Sequence, residues 1–474
     1  MKTVVRFFFF VFTLTCLTGL AQTRSEYYSS NKGTKITFNR GGISNFNVET
    51  RGKIELADDD KDVKSMSPDG YLEITKTVFG SKRSIVITPQ GSDLKREYYE
   101  SRTAVAFEPE GRKWLSEVLP ELVRSTTIGA ESRVSRYYRQ NGSKGVLEEI
   151  GRLESDYVKV HYANLLIGLN VPTKDYASII TEVAASIESD HYLTEFLKTG
   201  MSKFLQVKDA SEAVFAATRK MDSDHYKTEV IKEGLRSGPA TLESVKIILE
   251  ATGNMESDHY KTEVLTSLLR QNNLTDAVIS ELIATTRSLD SDHYRTVVLD
   301  KALEKTGLSA TSYQRVLESV KDIDSDHYKS QVLINLLQNK MTPEAQLNLI
   351  SIMSAIGSDH YITSVANEIL KRQSLSDEVF QKLLETMGNQ GSDYYTSTFL
   401  QAALERPNLT KQNMVAILQA AGNIDSDHYV TEVLVDAAPR IKALSDASLK
   451  DAYRAAARKI DSETYYGRAM KAID

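Results

Sequence analysis

The chain has 474 residues, 41% apolar and 26% charged, which fits a folded protein of two or three domains and not a disordered chain. Its 58 Lys and Arg against 64 Asp and Glu give a formal charge of −6. No basic block breaks that balance, which argues against the clustered phosphate contacts of a nucleic-acid-binding protein.

Residues 1–21 read as a signal peptide. Lys2 and Arg6 form the positive end, Phe7 to Leu20 is an apolar run of h-region length, and Gly19 and Ala21 are the small residues of a cut before Gln22. The run is short for a bilayer span. Thr13-Leu14-Thr15 lacks the small residue that a lipobox places before Cys16. Cys16 is the single cysteine, so the mature chain has neither disulfides nor thiol chemistry. The expectation is an exported protein, periplasmic or secreted, with no transmembrane segment after cleavage.

Residues 22–33 are polar and are expected to form a flexible lead. Residues 34–108 are expected to form a small antiparallel β domain. Lys35–Asn39, Phe46 and Val48, Ile54 and Leu56, Tyr71–Thr75, Ser84–Thr88, Leu94–Tyr99 and Ala104–Phe107 are short segments, several with a period of two. Turn signals at Arg40-Gly41-Gly42, Ser67-Pro68-Asp69-Gly70, Gly80-Ser81 and Gly91-Ser92 separate them. From about Glu110 the period becomes helical, and residues 109–153 form a helical connector. Trp114, Leu115, Val118, Leu119 and Leu122 mark one amphipathic helix despite Pro120, while Tyr137-Tyr138 and Val146 with Ile150 mark two more.

Residues 154–474 carry an internal repeat. Asp190-His191-Tyr192, Asp224-His225-Tyr226, Asp258-His259-Tyr260, Asp292-His293-Tyr294, Asp326-His327-Tyr328, Asp359-His360-Tyr361 and Asp427-His428-Tyr429 each follow a serine. Variants stand at Asp156, Asp393 and Glu463, and successive spacings are 34, 34, 34, 34, 34, 33, 34, 34 and 36 residues. Tyr260, Val264, Leu265, Leu268 and Leu269 fall on one helical face. A second amphipathic helix follows, opened by signals such as Thr342-Pro343-Glu344, Ser376-Asp377-Glu378 and Ser445-Asp446. One helix pair cannot bury its apolar face alone, so the fold class expected is mainly α: an α-solenoid of about ten helical-hairpin repeats behind the β domain.

The repeated string has a structural reading. Ser is the N-cap, its oxygen taking an orphan N–H, and Asp in the first turn suits the helix dipole. Met221, Met255, Leu289, Ile323, Ile356 and Ile424 precede the serines by two positions and clamp the entry of the chain. Tyr joins the apolar stripe, and His on its flank can bridge to the neighbouring repeat. Three chemical readings compete. A Ser/His/Asp triad fails, because consecutive helical residues point to different sides. A metal site could use His191/Glu195, His225/Glu229, His259/Glu263 or His428/Glu432, but Val297, Gln331 and Ser364 replace the glutamate in other repeats. A concerted response to acid requires the ladder histidines to sit neutral and partly buried.

The run Asp58-Asp59-Asp60-Lys61-Asp62 imitates the start of a calcium loop, but Val63 and Asp69 stand where Gly and Glu belong, so a solvated turn is expected. No His-Glu-x-x-His, nucleophile elbow or phosphate loop occurs, and the sequence offers no catalytic, cofactor or metal residue.

Phe46 to Asp60, Ser67-Pro68-Asp69-Gly70, Phe107 to Leu115 and Ile150 to Tyr157 resemble a bacterial envelope family in which such a β unit precedes HEAT- or tetratricopeptide-like repeats. Some members of that family are extensions of β-lactam-sensor-type membrane metallopeptidases. The likeness covers roughly residues 34–170, and the peptidase helices and zinc motif are absent. It implies a signalling or interaction role at the envelope. The expectation is a non-enzymatic exported scaffold, without a cofactor, that binds protein or peptide partners along the solenoid. The alternative is an envelope sensor whose β domain recognises a ligand or partner.

Overall fold

The computed structural model describes residues 23–30, 33–40, 44–272, 274–305 and 308–474. The expected signal peptide lies outside them. Two compact units divide the chain, residues 1–200 and 201–474. Among the described residues no helix is long and apolar enough to cross a membrane.

Among the described residues of the first unit, nine strands precede four complete helices and most of a fifth, Asp190–Phe204. The strands are β1 (Thr23–Ser30), β2 (Gly33–Arg40), β3 (Ser44–Arg51), β4 (Ile54–Leu56), β5 (Val63–Met66), β6 (Tyr71–Val78), β7 (Ser81–Gln90), β8 (Asp93–Glu100) and β9 (Thr103–Val105). Seven form one antiparallel sheet in the order β1-β2-β3-β6-β7-β8-β9, and β4 and β5 form a separate ribbon. The stretch expected as a flexible lead therefore contains β1, paired to β2 along its whole length. Tyr27, Tyr28 and Thr23 supply β-propensity there, and an edge strand can lack the apolar alternation that marks a core strand.

Period-two patterning aligns Val48, Ile74, Ile85 and Tyr98 in one row across β3, β6, β7 and β8. All four are buried. Helix α1 (Arg112–Ser125) covers this face with Trp114, Leu115, Val118, Leu119 and Leu122, and Pro120 falls inside it without ending it. The next helix, α2 (Ala130–Ile150), is one run broken at Asn141–Gly142, where Gly142 takes φ +60°. Helices α3 (Asp156–Gly168) and α4 (Tyr176–Ser186) make the first repeat.

The acidic run is a turn with Asp58, Asp59 and Lys61 exposed, as expected, but Asp60 and Asp62 face inward. Asp60, at φ +59°, is only 8% exposed. Its carboxylate accepts from Arg133 Nε at 3.0 Å and Arg136 Nη2 at 2.7 Å. Arg133 is 1% exposed and also donates to Glu149 at 2.6 Å and to the Tyr162 hydroxyl. Burial pushes the Tyr162 phenol up to about 12, with Arg133 opposing the rise. Asp62 pairs with Arg96 at 3.1 Å and Arg112 at 2.9 Å. A buried guanidinium needs carboxylate partners. The acids after β4 supply them and pin the β4–β5 ribbon to α2.

The second unit is a stack of helix pairs. The first helices are Asp224–Ser237, Asp258–Leu269, Asp292–Leu303, Asp326–Leu336, Asp359–Arg372, Asp393–Leu404 and Asp427–Leu444. Each is followed by a second helix of equal or shorter length, from Leu242–Gly253 to Ala447–Ala457. First helices pack on first helices and second on second, so the two apolar faces close a continuous core from Phe215 to Ile473. The last described helix, Glu463–Ile473, buries Ala469 and Ile473 and leaves Arg468 and Lys471 exposed. An α-solenoid behind an antiparallel β domain is thus the fold.

Candidate functional site

The repeated string forms an inter-repeat fastening. Each Asp begins its helix, and at seven of these positions the carboxylate reaches forward to the loop that opens the next first helix. Asp224 accepts from Glu256 N at 2.8 Å and Ser257 N at 2.9 Å. Asp258 accepts from Ser291 N at 2.7 Å. Asp292 accepts from Asp324 N at 3.1 Å and Ser325 N at 2.8 Å. Asp326 bonds Ser358 N and Asp427 bonds Ser462 N, and the variants Asp156 and Asp393 do the same to Ser189 N and Ser426 N. Asp190 and Asp359 open their helices at the same position.

The serines do not cap as expected. Ser257, Ser291, Ser325, Ser358 and Ser426 stand at the N-cap, yet none of their side chains makes a capping bond. Their ψ lies between 113° and 122°. At the second helices Thr275, Ser309, Thr342, Ser376 and Thr410 have ψ between 156° and 165°, and each accepts an N–H three residues on. The lower ψ of the first-helix serines goes with a hydroxyl that does not reach the helix; donating the N–H to the preceding repeat's Asp is not the cause, because Ser309 N donates to Asp276 at 2.9 Å and still caps at ψ 165°. At the last pair Asp446 caps, while Ser445 ends the preceding helix at φ +54°.

The rings form a second ladder. His is exposed and Tyr half-buried against the core at Tyr260, Tyr294, Tyr328, Tyr361 and Tyr429. Each His ring meets the Tyr of the following repeat, with centroids 5.8 Å apart for His225–Tyr260, 6.0 Å for His259–Tyr294 and 5.6 Å for His293–Tyr328 and His327–Tyr361. His360–Tyr395 and His428–Tyr465 continue it at 6.1 and 5.8 Å, and Tyr394 replaces His against Tyr429. The exposure of these histidines removes the burial that a concerted acid response requires. His191 and Tyr192 pack edge to face in the first unit. The residues that precede the serines by two, Met221 through Ile424, are all buried, which fits the clamping role.

The sequence reading passed over the position three residues after each Asp. Lys227, Lys261, Arg295 and Lys329 are buried there. Lys261 donates to Ser288 O at 2.8 Å and Arg295 to Asp322 O, closing the end of the next second helix, and Lys159 reaches Ser186 O at 2.7 Å in the first unit. Aligning the repeats in columns exposes this basic column. Other ties close the first helices' C-termini: Gln271 donates to Leu235 O, Gln373 to Leu337 O, Arg406 to Leu370 O and Arg440 to Leu404 O, each from 36 residues later. Asp276 accepts from Ser309 and Ser312; burial raises its pKa, but those bonds outweigh it and hold the carboxyl below the usual range.

The side chains of the string are therefore committed to joining repeats. Among the described residues no three His, Cys, Asp or Glu side chains come together to hold a metal. The second-helix face is different. Between Asp377–Gly388 and Lys411–Ala421 lies an open groove of about 570 Å³ lined by Gln381, Lys411, Gln412, Val415, Ala416 and Gln419. Its three glutamines are exposed.

No family model matches the chain, and no curated protein does. Two solved structures are similar to it. One comes from the computational design of self-assembling cyclic protein homooligomers and is 13% identical over 73% of this chain and 96% of the other, with a TM-score of 0.11. The other is a circular tandem repeat protein with novel repeat topology and enhanced subunit contact surfaces, 11% identical over 77% and 78%, with a TM-score of 0.14. Likenesses at these TM-scores carry no argument.

Proposed function

We propose that the chain is an exported, non-enzymatic scaffold whose solenoid binds protein or peptide partners. The observation that carries this reading is the division of labour between the two helix layers. Asp, His, Tyr and the buried Lys or Arg of the first layer are spent on joining repeats. The second layer leaves uncommitted carboxamides over a shallow apolar floor at Gln381, Gln412 and Gln419. A carboxamide offers a donor and an acceptor side by side, the pattern of a peptide bond. The test is affinity capture from a native envelope extract with the full mature chain, run beside a Gln381→Ala/Gln412→Ala/Gln419→Ala variant. Partners held by the first and lost by the second support the reading. Equal capture by both places binding elsewhere.

A further inference from the structure

The first unit holds a cleft of about 680 Å³ between the β4–β5 ribbon and the first turn of α2, with His161 of α3 on its wall. That size suits a small molecule. Lys53 and Glu131 both line it, both are exposed, and among the described residues neither makes an ion pair. Ser132, Ser135 and Thr127 add hydroxyls. His161 is half-buried without a hydrogen-bond partner among the described residues, and burial draws its pKa below the ordinary imidazole value, with Glu131 pulling the other way. It therefore offers one donor and one acceptor with no net charge at neutral pH. An anion alone would meet Glu131, and a cation alone would meet Lys53 and the positive end of α2. No Trp, Tyr or Phe lines the cleft for stacking, while Ile54, Met66 and Ile128 leave room for small apolar groups.

We infer that this cleft binds a small zwitterion, a free amino acid or short peptide, with its carboxylate toward Lys53 and the start of α2 and its ammonium toward Glu131. This site does not depend on the solenoid reading. The experiment is calorimetric titration of the full mature chain with tri-alanine, N-acetyl-tri-alanine, tri-alanine amide and alanine. Tri-alanine should bind, and blocking either end should weaken it about tenfold or more, the loss of one charge-assisted hydrogen bond. Glu131→Gln should abolish the penalty for acetylation alone, and Lys53→Met the penalty for amidation alone. Neither side chain holds the fold together, and unchanged Trp114 fluorescence verifies that. Alanine binding as tightly as tri-alanine makes the ligand an amino acid, and weaker binding makes it a peptide; both uphold the inference. No heat with any of the four, or equal affinity for free and blocked tri-alanine, overturns it.

Discussion

Two serines that both stand at an N-cap should respond oppositely to the same substitution. Ser376 Oγ accepts from Val379 N at 3.3 Å, so Ser376→Ala should cost about 1 kcal/mol, the usual loss of a capping side chain. Ser291 has no capping bond, so Ser291→Ala should stay within about 0.5 kcal/mol. The neighbouring Asp292 should matter far more. Its carboxylate takes two backbone N–H groups, and a hydrogen bond to a charged group contributes about 1.5–3 kcal/mol. Asp324 is exposed, so water replaces Asp292 at its N–H. Ser325 is half-buried and its bond at 2.8 Å counts nearly in full. Asp292→Ala should therefore cost about 2 kcal/mol, and Asp292→Asn, which keeps a neutral acceptor, about 1 kcal/mol. Urea unfolding followed by far-ultraviolet circular dichroism ranks the four variants. A loss for Ser291→Ala equal to that for Ser376→Ala, or Asp292→Ala within about 0.5 kcal/mol of wild type, would refute the fastening.

Asp60→Asn should destabilise the first unit by about 3–5 kcal/mol, because it strips a charge partner from the buried Arg133; Trp114 fluorescence in urea reads that transition. Gly234→Ala gains helix propensity of about 1 kcal/mol but sets a Cβ 2.8 Å from the Phe215 ring, so a net loss of about 1 kcal/mol or more is expected in the same unfolding assay. Phe79 is 84% exposed at φ +48° in the β6–β7 turn, where a bulky side chain is strained, and Phe79→Asn should raise stability by about 1 kcal/mol. The lowered pKa of His161 means that the unfolded chain takes up a proton before the native one does. Its contribution to stability is present above the ordinary imidazole value of about 6.5 and is lost as pH falls through the lower native value. Wild type and His161→Leu compared by thermal melts across that window should differ in slope, wild type falling more steeply on acidification.

Apolar periodicity made most of the fold legible. Val48, Ile74 and Ile85 announced a half-buried sheet by their alternation, and Tyr260, Val264 and Leu268 announced a helix by theirs. What stayed hidden was pairing between distant polar groups. Asp60 looked like a surface acid because its partners, Arg133 and Arg136, lie more than 70 residues away. The repeated Asp showed its helix-start position, but the donors to its carboxylate are backbone N–H groups of the next repeat, which leave no side-chain signature. The capping serine failed on backbone geometry. Its residue type was right, but ψ between 113° and 122° keeps its hydroxyl from the first-turn N–H groups, and residue type alone does not reveal ψ. The groove glutamines carried no pattern at all, since an exposed glutamine on a helix is ordinary until its neighbours are known.

The fastening also changes along the stack in a way that keeps each interface tied. Through Arg295 and Lys329 the position after the tyrosine is a buried cation, and at Lys261 and Arg295 it closes the second helix of its own repeat. At Ile362, Thr396 and Val430 that cation is gone. The other end of the first helices is tied in the earlier repeats at Gln271, which bonds Leu235 O, and again from Gln373 onward. Gln373 bonds Leu337 O and Asn339 O, Arg406 bonds Leu370 O and Gln373 O, and Arg440 bonds Leu404 O and Pro407 O. Burial lowers the pKa of Arg406, and carbonyl oxygens at a helix C-terminus, the negative end of its dipole, oppose that cost. A repeat array is only as cooperative as its weakest neighbour contact. The C-terminal tie is present both where the cation column stands, at Gln271, and where it gives way to Ile362, Thr396 and Val430, so contact between neighbours does not depend on that cation.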